Sequence, residues 1–161
     1  MPRAKGFSLI ELLIVVAIIL IIAAVAVPNF LRSRLVANES AAAAGVRTVN
    51  TAQISYYSSY PTVGYASALS SLGGTCTGTT VPTTAGACLL DSVLAGGVKS
   101  GYSFTINNTG GTTPNAAYNV IASPVAVNLT GVRYFCSFAD AVIRVSESVV
   151  TTCDSTIPPQ Q

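Results

Sequence analysis

Hydrophobic and polar positions fall into three regimes along the chain. From Phe7 to Leu31 only Ser8, Glu11 and Asn29 are clearly polar. At about 1.5 Å per residue, a helix of about 25 residues crosses a hydrocarbon layer of roughly 30 Å. Beyond it the apolar positions thin out. Leu31, Leu35, Val46, Val49, Ala52 and Tyr56 return at three-, four- or seven-residue steps, apart from one longer gap through the alanines at 41–44. That period continues the helix, from about Ser8 to Ser59, with one apolar face. Alanine favours the helix and Gly45 weakens it locally. Pro61 ends it, because Tyr60 before it is biased towards extended geometry. Tyr56, Tyr57, Tyr60 and Tyr65 are expected to pack where the helix meets the remainder.

The third regime is short-range. Residues 61–101 are rich in Gly, Ser and Thr, with helical turns expected at Tyr65–Leu72 and Leu89–Leu94. Alternation begins at Tyr102 and recurs through Ile106, Ala117–Ala122, Val132–Phe138 and Val142–Val145, with turn residues between. The expected fold class is α+β: a long amino-terminal helix, membrane-spanning in its first half, packed on a small antiparallel sheet with its other face exposed. The segments are residues 1–6, 7–31 (membrane half of the helix), 32–60 (amphipathic half), 61–101 (connecting loop) and 102–161 (sheet and carboxy-terminal loop).

Charge orients the first segment. Arg3 and Lys5 precede the apolar run, which places the amino end in the cytoplasm and the residues after Leu31 outside. A cleaved secretory signal fits the basic start but not the length of the run, nor an acid at its beginning. Glu11 is costly there: an acid near a helix centre costs about 2.5–3.5 kcal/mol on insertion scales and usually meets a partner.

The stretch Gly6-Phe7-Ser8-Leu9-Ile10-Glu11-Leu12-Leu13-Ile14-Val15-Val16-Ala17-Ile18 resembles the processing and methylation motif of type IV pilins and type II secretion pseudopilins. The resemblance implies that residues 1–6 are a leader removed by a prepilin peptidase between Gly6 and Phe7. It implies that the same enzyme class then methylates the Phe7 amine. Glu11 would pair with that amine on a neighbouring subunit during assembly, and Pro28 falls at a helix-bending proline of the family. Many members carry a glycine midway along the run, where this chain has Leu20. The implied product is a homo-oligomeric type IV pilus filament, built by an inner-membrane assembly platform from subunits held first in the bacterial inner membrane and afterwards extracellular. Motility, adhesion and DNA uptake are the uses it opens. A periplasmic type II secretion pseudopilus is the alternative within the family. Local spacing also lets Glu11 reach its own amine, four residues away.

Composition agrees with burial among neighbours: half of the residues are hydrophobic and 9% are charged. The formal charge is +2, and loss of Arg3 and Lys5 from the eight basic side chains would leave as many as the six acidic ones. Nucleic acid is therefore not an expected partner. A membrane-anchored binding protein for DNA or surfaces, acting through the loop at 61–101, is the reading from another class. The chain has no His, and its acids are scattered, so neither an enzyme nor a cofactor is expected. Asp140, Glu147 and Asp154 could meet a calcium ion, as in some pseudopilins, but no acid-dense loop accompanies them. Four cysteines in an exported segment allow three disulfide pairings. The local set is expected, Cys76 with Cys88 and Cys136 with Cys153. A metal site lacks any C-x-x-C pair.

Overall fold

The computed structural model describes residues 7–75, 81–108 and 113–160. It divides into two compact units, one reaching Arg34 and one beginning at Leu35. Helix α1, Leu9–Ser59, supplies the first unit and continues into the second.

In the first unit the helix carries its apolar side chains outward and buries none of them against the protein. Among the described residues it is the helix long and apolar enough to cross a membrane. Pro28 sits inside it. Proline has no N–H for the carbonyl four residues back, and its ring crowds that carbonyl. Two side chains add bonds around this point: Asn29 Nδ2 donates to Val25 O at 3.1 Å, and Ser33 Oγ donates to Asn29 O at 3.0 Å.

The second unit is α+β. Its part of α1 buries Glu39, Ala42, Ala43, Gly45, Val46, Val49, Asn50, Ala52, Gln53 and Tyr56, the stripe that a 3.6-residue period produces. The helix stops at Ser59, where the chain turns: the N–H groups of Val63 and Gly64 both donate to Tyr60 O. Gly64 has φ +85°, and a Cβ there would collide with the backbone of Asn115. The short helices α2 (Leu69–Leu72) and α3 (Ser92–Ala95) lie within the expected turns or one residue beyond them. Asp91 caps α3, accepting from the N–H groups of Val93 and Leu94.

Among the described residues, five antiparallel strands follow in simple sequence order: β1 (Val98–Lys99), β2 (Tyr102–Asn108), β3 (Tyr118–Pro124), β4 (Tyr134–Phe138) and β5 (Arg144–Ser146). Phe104 pairs with Ala122, Ile121 with Cys136, and Phe135 with Val145. The sequence pattern predicts three or four strands; β1 is the addition, two residues long and hidden in the loop. Tyr102, Phe104, Tyr118, Val120, Ala122 and Phe135 join the helix stripe in one core.

The other face of the sheet departs from expectation. Rather than facing water, Ile121, Tyr134 and Cys136 form a second, smaller core with Val150 and Cys153. The carboxy-terminal segment covers it. Val145 N–H donates to Pro158 O, and Gln160 N–H to Ile143 O. This double burial explains why β3 is buried at every position but one; a strand covered on both faces reads as an apolar run instead of an alternation.

Candidate assembly surface and the clamps of the second unit

The sequence-expected assembly residues lie in the first unit. Phe7 is 77% exposed and stands just before α1. Glu11, one turn further, is also exposed and lies in the first turn of the helix. Pro28 lies inside the same helix, and Leu20 is exposed. Gly6, the residue expected before the cut, lies outside the described residues. An acid among exposed Leu9, Ile10, Leu12 and Leu13 can do one useful thing in an apolar setting, which is to meet a cation.

The second unit holds a different set of polar residues, which the sequence pattern did not single out. Glu39 is 6% exposed. Its Oε1 accepts the N–H groups of Val132 and Arg133 at 3.0 and 3.2 Å, and its Oε2 accepts Arg133 Nε and Nη2, both at 2.7 Å. Burial pushes the Glu39 carboxyl up, but these N–H groups and the guanidinium outweigh it and hold the group below the ordinary range. Asn50 donates from Nδ2 to Ser137 Oγ and Ala141 O, and its Oδ1 accepts the Tyr118 hydroxyl at 3.1 Å. Burial raises the Tyr118 phenol above its ordinary value and keeps it a donor. Gln53 acts as a piece of backbone: Nε2 donates to Ala66 O at 3.0 Å and Oε1 accepts Ala66 N–H at 2.8 Å. One helix face thus clamps a loop, the sheet and the β4–β5 turn. Their signal was spacing: residues 39, 50 and 53 share the stripe of Ala42, Val46, Val49 and Tyr56.

The tyrosines pack around the helix end. Tyr56 and Tyr60 rings lie 4.9 Å apart, Tyr57 and Tyr65 also 4.9 Å, and Tyr65 and Tyr118 4.8 Å. Tyr56 donates its hydroxyl to Thr84 O.

Cys136 and Cys153 are joined by a disulfide with Cα atoms 5.8 Å apart, which ties the covering segment to β4. Asn119 helps by accepting Cys153 N–H at 2.8 Å. Cys88 is disulfide-bonded; its expected partner, Cys76, lies outside the described residues.

The acids considered for calcium are engaged separately. Asp140 takes a two-pronged grip from Arg144 at 3.1 and 2.6 Å. Burial raises its carboxyl, but this grip and Val142 N–H bring it below the usual value. Asp154 accepts from Thr156. Arg144 also lies over the Phe138 ring, 4.3 Å from its centroid. A shallow groove of about 570 Å³ runs between Arg133, Glu147, Thr156 and Pro158. Among the described residues no group of three or more metal-ligating side chains comes together.

Comparison with known proteins bears on the amino-terminal part. Residues 1–27 match the family described as the prokaryotic N-terminal methylation motif. The chain is 49% identical over 57 residues to the type IV major pilin protein PilA of Myxococcus xanthus. It is 62% identical over 40 residues to the type IV wide pilus major component PilA4 of Thermus thermophilus. These stretches are 35% and 25% of this chain, and the chain spans only 26% and 30% of the length of those relatives. No solved structure matches. The chain therefore combines a methylation-motif amino terminus, similarity to type IV major pilins and a pilin-like α+β architecture.

Proposed function

We propose that this chain is a structural subunit of a type IV pilus, cut after Gly6, methylated at Phe7 and assembled through the first half of α1. The observation that carries the reading is an exposed apolar helix interrupted by one acid, Glu11, inside a methylation-motif match that spans residues 1–27. Such a helix needs an apolar solvent. Lipid supplies it before assembly, and the same helices of neighbouring subunits supply it afterwards.

Cutting supplies the missing partner. Before cleavage the Phe7 nitrogen lies in a peptide bond and offers Glu11 no cation. Afterwards Phe7 carries one, and in a medium of low dielectric the attraction between amine and carboxylate is far stronger than in water. Pairing across subunits, rather than within one helix, makes the contact a register mark for assembly. On this reading the partners are other copies of the chain, a prepilin peptidase and methylase, and an assembly platform in the inner membrane.

The test is Glu11→Ala in the producing cell. Processing should be intact, with mass spectrometry finding methylated Phe7 as the amino terminus, while sheared surface filaments fall by tenfold or more, since removing one partner of a charge pair in an apolar site leaves the other charge uncompensated. Filaments at wild-type yield would sink the assigned role of Glu11. Subunits confined to the periplasm, with protein secretion lost on deletion, would instead identify a type II secretion pseudopilin.

A further inference from the structure

The charges of the second unit mostly pair with one another. Glu39 holds Arg133 at 2.7 Å, Asp91 holds Lys99 at 2.9 Å and Asp140 holds Arg144 at 2.6 Å. Asp154 accepts from Thr156. Among the described residues of this unit, two charged side chains have neither an ion pair nor a hydrogen bond: Arg47 and Glu147. One is a cation and the other an acid, and both are exposed.

Arg47 stands on the outward face of α1, away from the stripe that packs on the sheet. This face is less polar than its sequence suggests. Thr48 Oγ1 donates to Ala44 O at 3.0 Å, Thr51 Oγ1 to Arg47 O at 3.1 Å and Ser58 Oγ to Ile54 O at 3.0 Å. Hydroxyls bonded back to carbonyls four residues earlier have no donor left for another surface. The face therefore offers the carbon of Ala44, Thr48 and Thr51, with Ile54 53% exposed, and one charge.

Glu147 borders the groove of about 570 Å³. Val145, Ile157 and Pro158 give this groove an apolar lining. Arg133 also borders it but is held by Glu39, which leaves Glu147 as the unbalanced charge. Ile157 packs against the second core, whereas the helix stripe belongs to the first. The helix face and the groove thus lie towards opposite sides of the sheet, and no bond joins them within one copy.

We propose that the outward face of α1 around Arg47 docks on this groove of a second copy, with Arg47 paired to Glu147. The inference rests on the filament reading above and names one contact within it. A largely apolar face with one cation meets a largely apolar groove with one unbalanced acid. Because the two surfaces differ, the contact is heterologous, and a copy that offers both can pass it on along an open helical array. An exposed ion pair adds little affinity by itself. Its effect is on register, since a wrong register that sets like charges together is costly.

Charge reversal in the producing cell tests the pairing. Arg47→Glu and Glu147→Arg should each lower sheared filaments about tenfold, because each brings like charges together. The double reversal should return to within about twofold of wild type, the signature of a direct coupling. Thermal melting of each full-length variant in detergent should match wild type, as neither side chain has a partner inside the unit. In filaments of Arg47→Lys, a water-soluble carbodiimide should join the new amine at position 47 to the Glu147 carboxyl, in bands containing two or more copies. Wild-type yield in both single reversals, or a double reversal no better than the singles, overturns the contact. A join found only within single copies, or none at all, overturns it as well. Surface filaments that lack this chain altogether overturn the filament reading, and the contact with it.

Discussion

The carboxylate of Glu39 and the guanidinium of Arg133, 94 residues apart, meet at 2.7 Å while the same carboxylate takes the N–H groups of Val132 and Arg133. One side chain thereby fixes helix α1 to the start of β4. Arg133 is partly exposed, so solvent screens part of the charge attraction and the buried N–H bonds carry the larger share. Glu39→Gln should lower the unfolding free energy of the second unit by about 2 kcal/mol near neutral pH, the range for hydrogen bonds to a charged group. Chemical denaturation of the full chain in detergent, followed by circular dichroism, measures it.

The same residue sets an acid dependence. The folded Glu39 carboxyl lies below its ordinary value, as does that of Asp140. Their contributions are therefore complete above the ordinary carboxyl range, about pH 4, and are lost as pH falls through the folded values. Between neutral pH and about pH 3 the wild-type chain should lose more stability than Glu39→Gln, whose amide does not titrate. Equal losses in thermal melts of the two would remove Glu39 from the account.

Gly45 shows how a weak helix residue can be required. A Cβ at this position would lie 2.7 Å from Cε1 and Cζ of Phe104, which is buried between sheet and helix. Alanine adds about 1 kcal/mol of helix propensity, against an overpacking cost of about 1–3 kcal/mol. Gly45→Ala should be net destabilising by about 1 kcal/mol. Adding Phe104→Leu should recover part of that loss, and a double-mutant cycle on the melting temperature reads the coupling.

These residues mark what was legible in the sequence. The amino-terminal motif and the apolar run are linear signals, complete within residues 1–31. The helix stop was equally local, since Pro61 dictates it. Glu39, Asn50 and Gln53 were not legible as clamps, because a polar residue on a helix normally faces water and their partners lie 13 to 94 residues away. Gly45 read as a defect because Phe104 was not yet beside it. The covered second face of the sheet depends on the chain beyond β5: the expected Cys136–Cys153 bond pointed to a tie there, but the polar composition gave no sign that Val150 turns inward.

The Cys136–Cys153 bond closes a loop with a sequence separation of 17, worth about 3 kcal/mol in the chain-entropy picture. Replacing both cysteines by alanine should lower stability by that order and loosen the cover over Ile121 and Tyr134. Hydrogen exchange at the backbone amide of position 153, which donates to Asn119 Oδ1 in the intact chain, should accelerate more than exchange at the Phe104 amide on β2. Uniform acceleration would show that the two cores open together.

The strand order of the sheet sets a direction for its construction. Each of β2 to β5 pairs with the strand before it in the chain, so every ladder can form against a neighbour already present, and pairing waits for nothing downstream. Contacts between sequence neighbours also close quickly, since little loop entropy opposes them. A chain emerging amino end first could lay down its sheet strand by strand, with α1 as the floor. The carboxy-terminal cover and its disulfide would then be the last parts added, like a lid fastened on a finished box.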